Sequence, residues 1–170
     1  MMSNPLRIFL SLICLISLPS FAASVNVTWQ DPDNYADVRP GNETRDGFRE
    51  RVFKDLDEVF AKNAKKLPDD LQLDLIVTNL DLAGDTLGYY TSSGYEIRIV
   101  KDIYWPRMSL TYSLKNKEGV EISSGKADLA DMSFLFSQQL SITNSGFRFE
   151  EKMINNWFKS QIRQNAFHIN

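Results

Sequence analysis

The spacing of apolar and polar positions changes several times along the chain, and each change marks an element. Val25, Val27 and Trp29 alternate with polar neighbours at the period of a half-buried strand, and Asp31-Pro32-Asp33-Asn34 ends that strand in a dense turn signal. From about Asp46 to Leu67, Phe48, Val52, Phe53, Leu56, Val59, Phe60 and Ala64 fall on one stripe of an α-helix, opposite a face of Arg49, Glu50, Lys54, Asp55 and Glu58. The six large apolar side chains of that stripe contribute about 1.5–3 kcal/mol each on burial, before entropy is subtracted. Lys65-Lys66 suits the carbonyl end of the helix and Pro68 stops it.

A second strand follows, with Leu71, Leu73, Leu75 and Val77 on one face and Gln72, Asp74, Ile76 and Thr78 on the other. It runs into Asp81-Leu82-Ala83-Gly84-Asp85, where two carboxylates flank a turn-permissive glycine, and then into a long Tyr- and Ser-bearing loop from Asp85 to Gly94. The segment from Tyr95 to Leu114 is too long for one ordinary strand of about five or six residues. Its apolar positions are odd-numbered through Ile97, Ile99, Ile103 and Trp105, then even-numbered at Met108, Leu110, Tyr112 and Leu114. A change of parity demands a bulge or a break, and Pro106 lacks the N–H of a central ladder, so the segment divides into two strands near Trp105-Pro106.

Asn116-Lys117-Glu118-Gly119 supplies a hairpin turn, and Val120–Asp128 returns antiparallel to Met108–Leu114, with Gly125 as a bulge position. A closing helix over about Glu150–Asn165 buries Met153, Ile154, Trp157, Phe158 and Ile162. The order β-α-β-β-β-β-α predicts an α+β fold, a largely antiparallel sheet with two helices packed on one face.

Residues 1–22 stand apart from this plan. Arg7 precedes an apolar run, Ile8–Leu18, and Ser20-Phe21-Ala22 supplies small residues for cleavage: a signal peptide too short to span a bilayer. Cleavage after Ala22 or Ala23 leaves one domain, residues 23–170, secreted across the inner membrane into the periplasm of a Gram-negative bacterium. Ser11-Leu12-Ile13 before Cys14 is not the small pair of a lipoprotein signal, so Cys14 leaves unlipidated. It is the sole cysteine, and its loss excludes disulfides, thiolate metal sites and cysteine nucleophiles. No later apolar run approaches the roughly 20 residues of a transmembrane helix.

Charge and chemistry then narrow the function. With 19 Lys and Arg against 22 Asp and Glu and no basic run, the chain lacks the signature of a nucleic-acid binder. The sequons at Asn26 and Asn42 bear only on a eukaryotic secretory pathway. His168, the one histidine, lies two residues from the end, a poor place for a catalytic base, and conventional zinc ligand sets are missing. Asp31, Asp33 and Asp37 resemble an oxygen-rich loop without the glycine and glutamate of an EF-hand, and read as a turn.

The residues left with chemistry to offer are Asp81, Asp85, Trp105, Arg107 and Asp131. Asp81 and Asp85, alone or with Asp102 or Asp131, form a paired-carboxylate or cation site in one reading. Trp105 and Arg107 form a cation–π platform, or else Arg107 pairs with Asp81 or Asp131. No catalytic residue, metal ligand or cofactor is assigned, and the residue types point away from an enzyme. The leading expectation is a non-enzymatic binding or envelope-associated domain whose partner, an envelope protein or ligand, is unnamed. The alternatives are a carboxylate-dependent hydrolase or divalent-cation binder using Asp81 and Asp85, and a membrane-facing accessory protein docking through Trp157, Phe158, Lys159 and Arg163.

Tyr35-Ala36-Asp37-Val38, Asp81-Leu82-Ala83-Gly84, Ile97-Arg98-Ile99-Val100, Trp105-Pro106-Arg107-Met108 and Asp131-Met132 before Phe134-Leu135 occur in an order and spacing that resemble a family of small secreted proteobacterial proteins, a domain of unknown function. The resemblance implies a small exported domain and carries over no catalytic residue.

Overall fold

A computed structural model describes residues 23–136 and 146–167. Strand β1 (Ser24–Trp29) leads through a single 3-10 turn, Pro32–Asn34, to helix α1 (Arg45–Ala64), followed by β2 (Gln72–Asp81), β3 (Arg107–Lys115), β4 (Glu121–Ala130) and α2 (Arg148–Arg163). The sheet order is β1-β2-β3-β4. The fold is α+β, as predicted, with two antiparallel pairings and one that the sequence reading did not anticipate: β1 runs parallel to β2. The reason is the connection. A strand that returns through a helical crossover enters its neighbour from the same end, whereas a tight turn reverses it.

One core joins the two helices to the sheet. Phe48, Val52, Leu56 and Phe60 of α1 and Met153, Ile154 and Phe158 of α2 cluster with Leu73, Leu75, Val77, Met108, Leu110 and Leu114. Thr44 caps α1 by accepting the Gly47 N–H at 3.3 Å. Trp29 stacks on Phe53 at 4.2 Å and donates to Asp57, while the buried Asn63 donates to Asn155 at 2.7 Å and ties α1 to α2. Trp157 and Phe158, the side chains a membrane-docking helix would offer to lipid, are buried in this core. Among the described residues no helix is long and apolar enough to cross a membrane.

Four details correct the sequence reading. The predicted strand over 95–105 does not join the sheet: β3 pairs with β2, and the segment folds back on its own loop, Asp85 bridging Ile99 and Tyr90 bridging Glu96. Gly125 is no bulge: it lies opposite Tyr112, whose ring would meet a Cβ at 3.0 Å, and the register shift falls between Leu114 and Lys115. Ile162 is 36% exposed rather than buried. Another irregularity lies between Val77 and Asn79. That bulge moves the buried set from Leu75 and Val77 to Leu80 and Leu82, so Asp81 is turned away from the helices.

Candidate functional site

The ends of β2 and β3 nearest the long connection build the site. Asp81 closes β2 and Arg107 opens β3, and the two are cross-strand partners in the antiparallel ladder. Adjacent side chains of opposite charge on one face meet directly, and Arg107 gives Nε and Nη2 to the same Asp81 oxygen, Oδ2, at 2.9 and 2.7 Å. The guanidinium also lies 5.4 Å from the centre of the Trp105 ring. Ion pair and cation–π platform, weighed as alternatives in the sequence, therefore coexist on one arginine. Beneath them Trp105 packs on a small second core of Ala83, Phe134 and Phe149.

A third segment completes the wall. Residues 35–39 run beside the end of β2: the Asp37 N–H donates to Leu80 and its carbonyl accepts the Leu82 N–H, while the buried Tyr35 hydroxyl donates to Val77 at 2.8 Å. Burial pushes that phenol well above its ordinary pKa, and the Asp31 charge adds to the effect. Arg98, from the loop, then fastens three chain segments together. It forks both oxygens of Asp37 at 2.8 and 3.2 Å and donates to the carbonyls of Gly84 and Arg39 at 3.0 and 2.9 Å. Gly84 has φ +88° and sits against the Ile99 carbonyl, and the next residue, Asp85, exchanges both backbone hydrogen bonds with Ile99.

The result is an open pocket of about 210 Å³. Asp81, Asp85, Trp105 and Arg107, four of the five residues singled out from sequence, line it together with Asp37 and Arg39. Asp131 does not. It pairs with Lys152 of α2 and caps its own turn through Ser133; only its N–H approaches the site, donating to the Pro106 carbonyl. The expectation that Asp131 joins the cluster is corrected for a simple reason: α2 brings a lysine to it first. Asp102 lies on the exposed part of the loop outside the pocket lining. Cys14, His168 and the segment before residue 23 lie outside the described residues.

Electrostatically the pocket is mixed. Burial lifts the Asp81 carboxyl above its usual range even though Arg107 pulls the other way, with Asp37 adding to the rise. Asp85 gives one oxygen to the Leu87 N–H at 3.0 Å, the side-chain-to-backbone turn expected of a strand-end aspartate. Among the described residues no three His, Cys, Asp or Glu side chains group as metal ligands. Asp33 and Asp37, read in sequence beside Asp31 as a turn, go to Arg49 and Arg98 respectively.

Glu150 is the participant that sequence reasoning missed outright. It stands in the first turn of α2, where an acidic residue ordinarily faces water. Here it is buried and accepts the Ala83 N–H at 2.7 Å, anchoring the turn that carries Gly84 and Asp85. Burial drives its pKa upward, against the Ala83 hydrogen bond and the Arg98 charge. The folded chain thus holds a proton that the unfolded chain releases, and stability falls as pH rises from the ordinary glutamate range, about 4.3, through the raised folded value. Glu150→Gln keeps an oxygen for Ala83 and cannot ionise. Melting curves across that range should show a flatter pH dependence for Glu150→Gln, with the variant more stable than wild type at the upper end; parallel curves would contradict the assignment.

Arg98 was legible only as a member of a conspicuous tetrapeptide, and Asp37 only as part of another and of an acidic turn. A lone arginine inside the apolar run Ile97-Arg98-Ile99-Val100 is the signal that asked for a buried partner.

No curated protein and no solved structure matches the chain. A family model does, over residues 23–160, a span that holds every residue of the pocket and Glu150 behind it. The chain therefore belongs to the family described as protein of unknown function (DUF3016).

Proposed function

We propose that this chain is an exported, non-enzymatic binding domain that acts in the periplasm and recognises an envelope component through the pocket at the ends of β2 and β3. The observation that carries the reading is the convergence of Asp81, Asp85, Trp105 and Arg107 on one solvent-reachable hollow. Its walls are fixed by ion pairs and a small aromatic core, so a ligand meets side chains already held in place. The alternative of a carboxylate-dependent hydrolase or cation binder has one observation on its side, the raised Asp81 carboxyl beside Asp85. Against it, Arg107 places two donors on one Asp81 oxygen, which favours recognition over proton transfer.

Leu87, 59% exposed on the pocket rim, and Val120, 57% exposed at the β3–β4 turn, lie at opposite ends of the sheet. A photo-crosslinking amino acid introduced at each position in turn and activated in intact cells tests the proposal. A discrete adduct is expected from position 87, reduced by Arg107→Ala, and none from position 120. Equal adducts from both positions, or none from either, would overturn it.

A further inference from the structure

The pocket's unused hydrogen-bonding groups narrow its ligand. Arg107 occupies only one oxygen of Asp81, and the Leu87 N–H only one of Asp85, so Asp81 Oδ1 and Asp85 Oδ2 accept from no described residue. Arg107 Nη1 and the whole Arg39 guanidinium likewise donate to no described residue. The residues that carry these free acceptors and donors line one hollow, and a ligand that satisfies both must offer both.

Charge narrows it further. The carboxylates of Asp37, Asp81 and Asp85 are matched by the guanidiniums of Arg39 and Arg107 in the wall and of Arg98 bonded to Asp37. A balanced site has no net field with which to draw in a strongly anionic or cationic group. Hydroxyl groups meet the remaining requirement, since each donates once and accepts twice. Trp105, with the Arg107 guanidinium over its ring, and Tyr104 supply the aromatic part of the lining, whose apolar edges suit the C–H groups of a ring. At about 210 Å³ the hollow is smaller than the roughly 300–1,000 Å³ that encloses a drug-sized ligand, so it takes one ring and leaves the rest of a chain outside.

We infer that the pocket binds a single uncharged sugar ring of a glycan, with Asp81 and Asp85 accepting from its hydroxyls, Arg39 and Arg107 donating to them, and Trp105, under the Arg107 guanidinium, forming the wall beside the ring. This rests on the binding reading above and names the ligand class. The probes are glucose, N-acetylglucosamine and its β-1,4-linked oligomers, with glucosamine and glucuronate as charged counterparts. The chain has three tryptophans, so a nitrogen–proton correlation spectrum resolves three indole signals. Trp29 donates to Asp57 and Trp157 is buried, which leaves Trp105 as the reporter.

The Trp105 signal should move saturably with an uncharged sugar at millimolar concentration while the other two stay. The affinity should resist added salt, because screening weakens only charged attraction. Arg39→Ala, an exposed side chain whose loss spares the fold, and Asp85→Asn, which keeps the oxygen for Leu87, should each weaken binding by roughly two- to tenfold, the scale of one lost hydrogen bond. Ile103→Ala, exposed outside the pocket, should leave it unchanged. No saturable shift with any sugar, binding confined to the charged sugars and abolished by salt, or wild-type affinity in both pocket variants would each overturn the inference. A specific adduct from position 87 alongside any of these results would leave the binding reading standing and refute only the glycan.

Discussion

Arg98→Ala is expected to lower stability by about 2–4 kcal/mol, between the roughly 1 kcal/mol of an exposed pair and the about 3–5 kcal/mol lost when one partner of a fully buried pair is removed. The pair is part-buried, with the Arg98 and Asp37 side chains 19% and 13% exposed. The deletion leaves the Asp37 carboxylate without its fork and the Gly84 and Arg39 carbonyls without their donor. Urea unfolding should show a lower midpoint with an unchanged slope, which assigns the loss to stability and not to a more open native state. Removing the charge at both positions, Asp37→Leu with Arg98→Met, should recover a large part of the loss, since an apolar pair of similar volume often replaces a buried ion pair at little cost. A single-variant loss below about 1 kcal/mol, the ordinary value of an exposed pair, would show that Arg98 decorates the pocket without holding it.

The contrast between Arg98 and Arg107 shows what a sequence can and cannot say about such a site. Asp81 and Arg107 were recoverable as a pair because one closes an apolar run before a turn and the other opens one after Pro106, and the β2–β3 ladder places those strand ends opposite each other, past a bulge at Val77–Asn79 that the apolar pattern did not reveal. The turn at Asn116–Gly119 and the antiparallel pairing of β3 with β4 were legible for the same reason, since alternation with a period of two leaves little freedom once one face is buried, although the irregularity falls at Leu114–Lys115 and not at Gly125. Asp37 and Arg98 lie in irregular backbone, where no period constrains which residues meet, and their contact spans 61 positions of sequence. The parallel pairing of β1 with β2 was open to inference from the helix between them, but a turn signal after Trp29 says nothing about which edge the chain later joins. The supposed strand over 95–105 failed because alternation of Ile97 and Ile99 records which side is apolar and not which segment the backbone pairs with, here Asp85 and Tyr90 of its own loop. Glu150 was invisible because its environment is made by a segment 67 positions away.

Gly84→Ala carries the other large expected effect and answers what the Asp81-Leu82-Ala83-Gly84 step is for. At φ +88° an L side chain is strained, and an added Cβ would lie 2.7 Å from the Ile99 carbonyl oxygen and 3.0 Å from Arg98 Cγ. The conformational part costs about 1–3 kcal/mol and the overpacking about 1–3 kcal/mol more, so the total should fall at about 2–6 kcal/mol. Gly88 separates the two parts. Its φ of +77° is similar, yet nothing lies within 4 Å of an added Cβ, so Gly88→Ala should register the conformational part alone. The difference between the two midpoints then measures the close approach of residues 84 and 99, the contact that sets Asp85 beside Ile99 and Arg98 beside Asp37. Equal losses would mean that the glycine serves only the turn. A larger loss at Gly84 would mean that it lets the loop press against the end of β2, which places the carboxylate of Asp85 in the same hollow as that of Asp81.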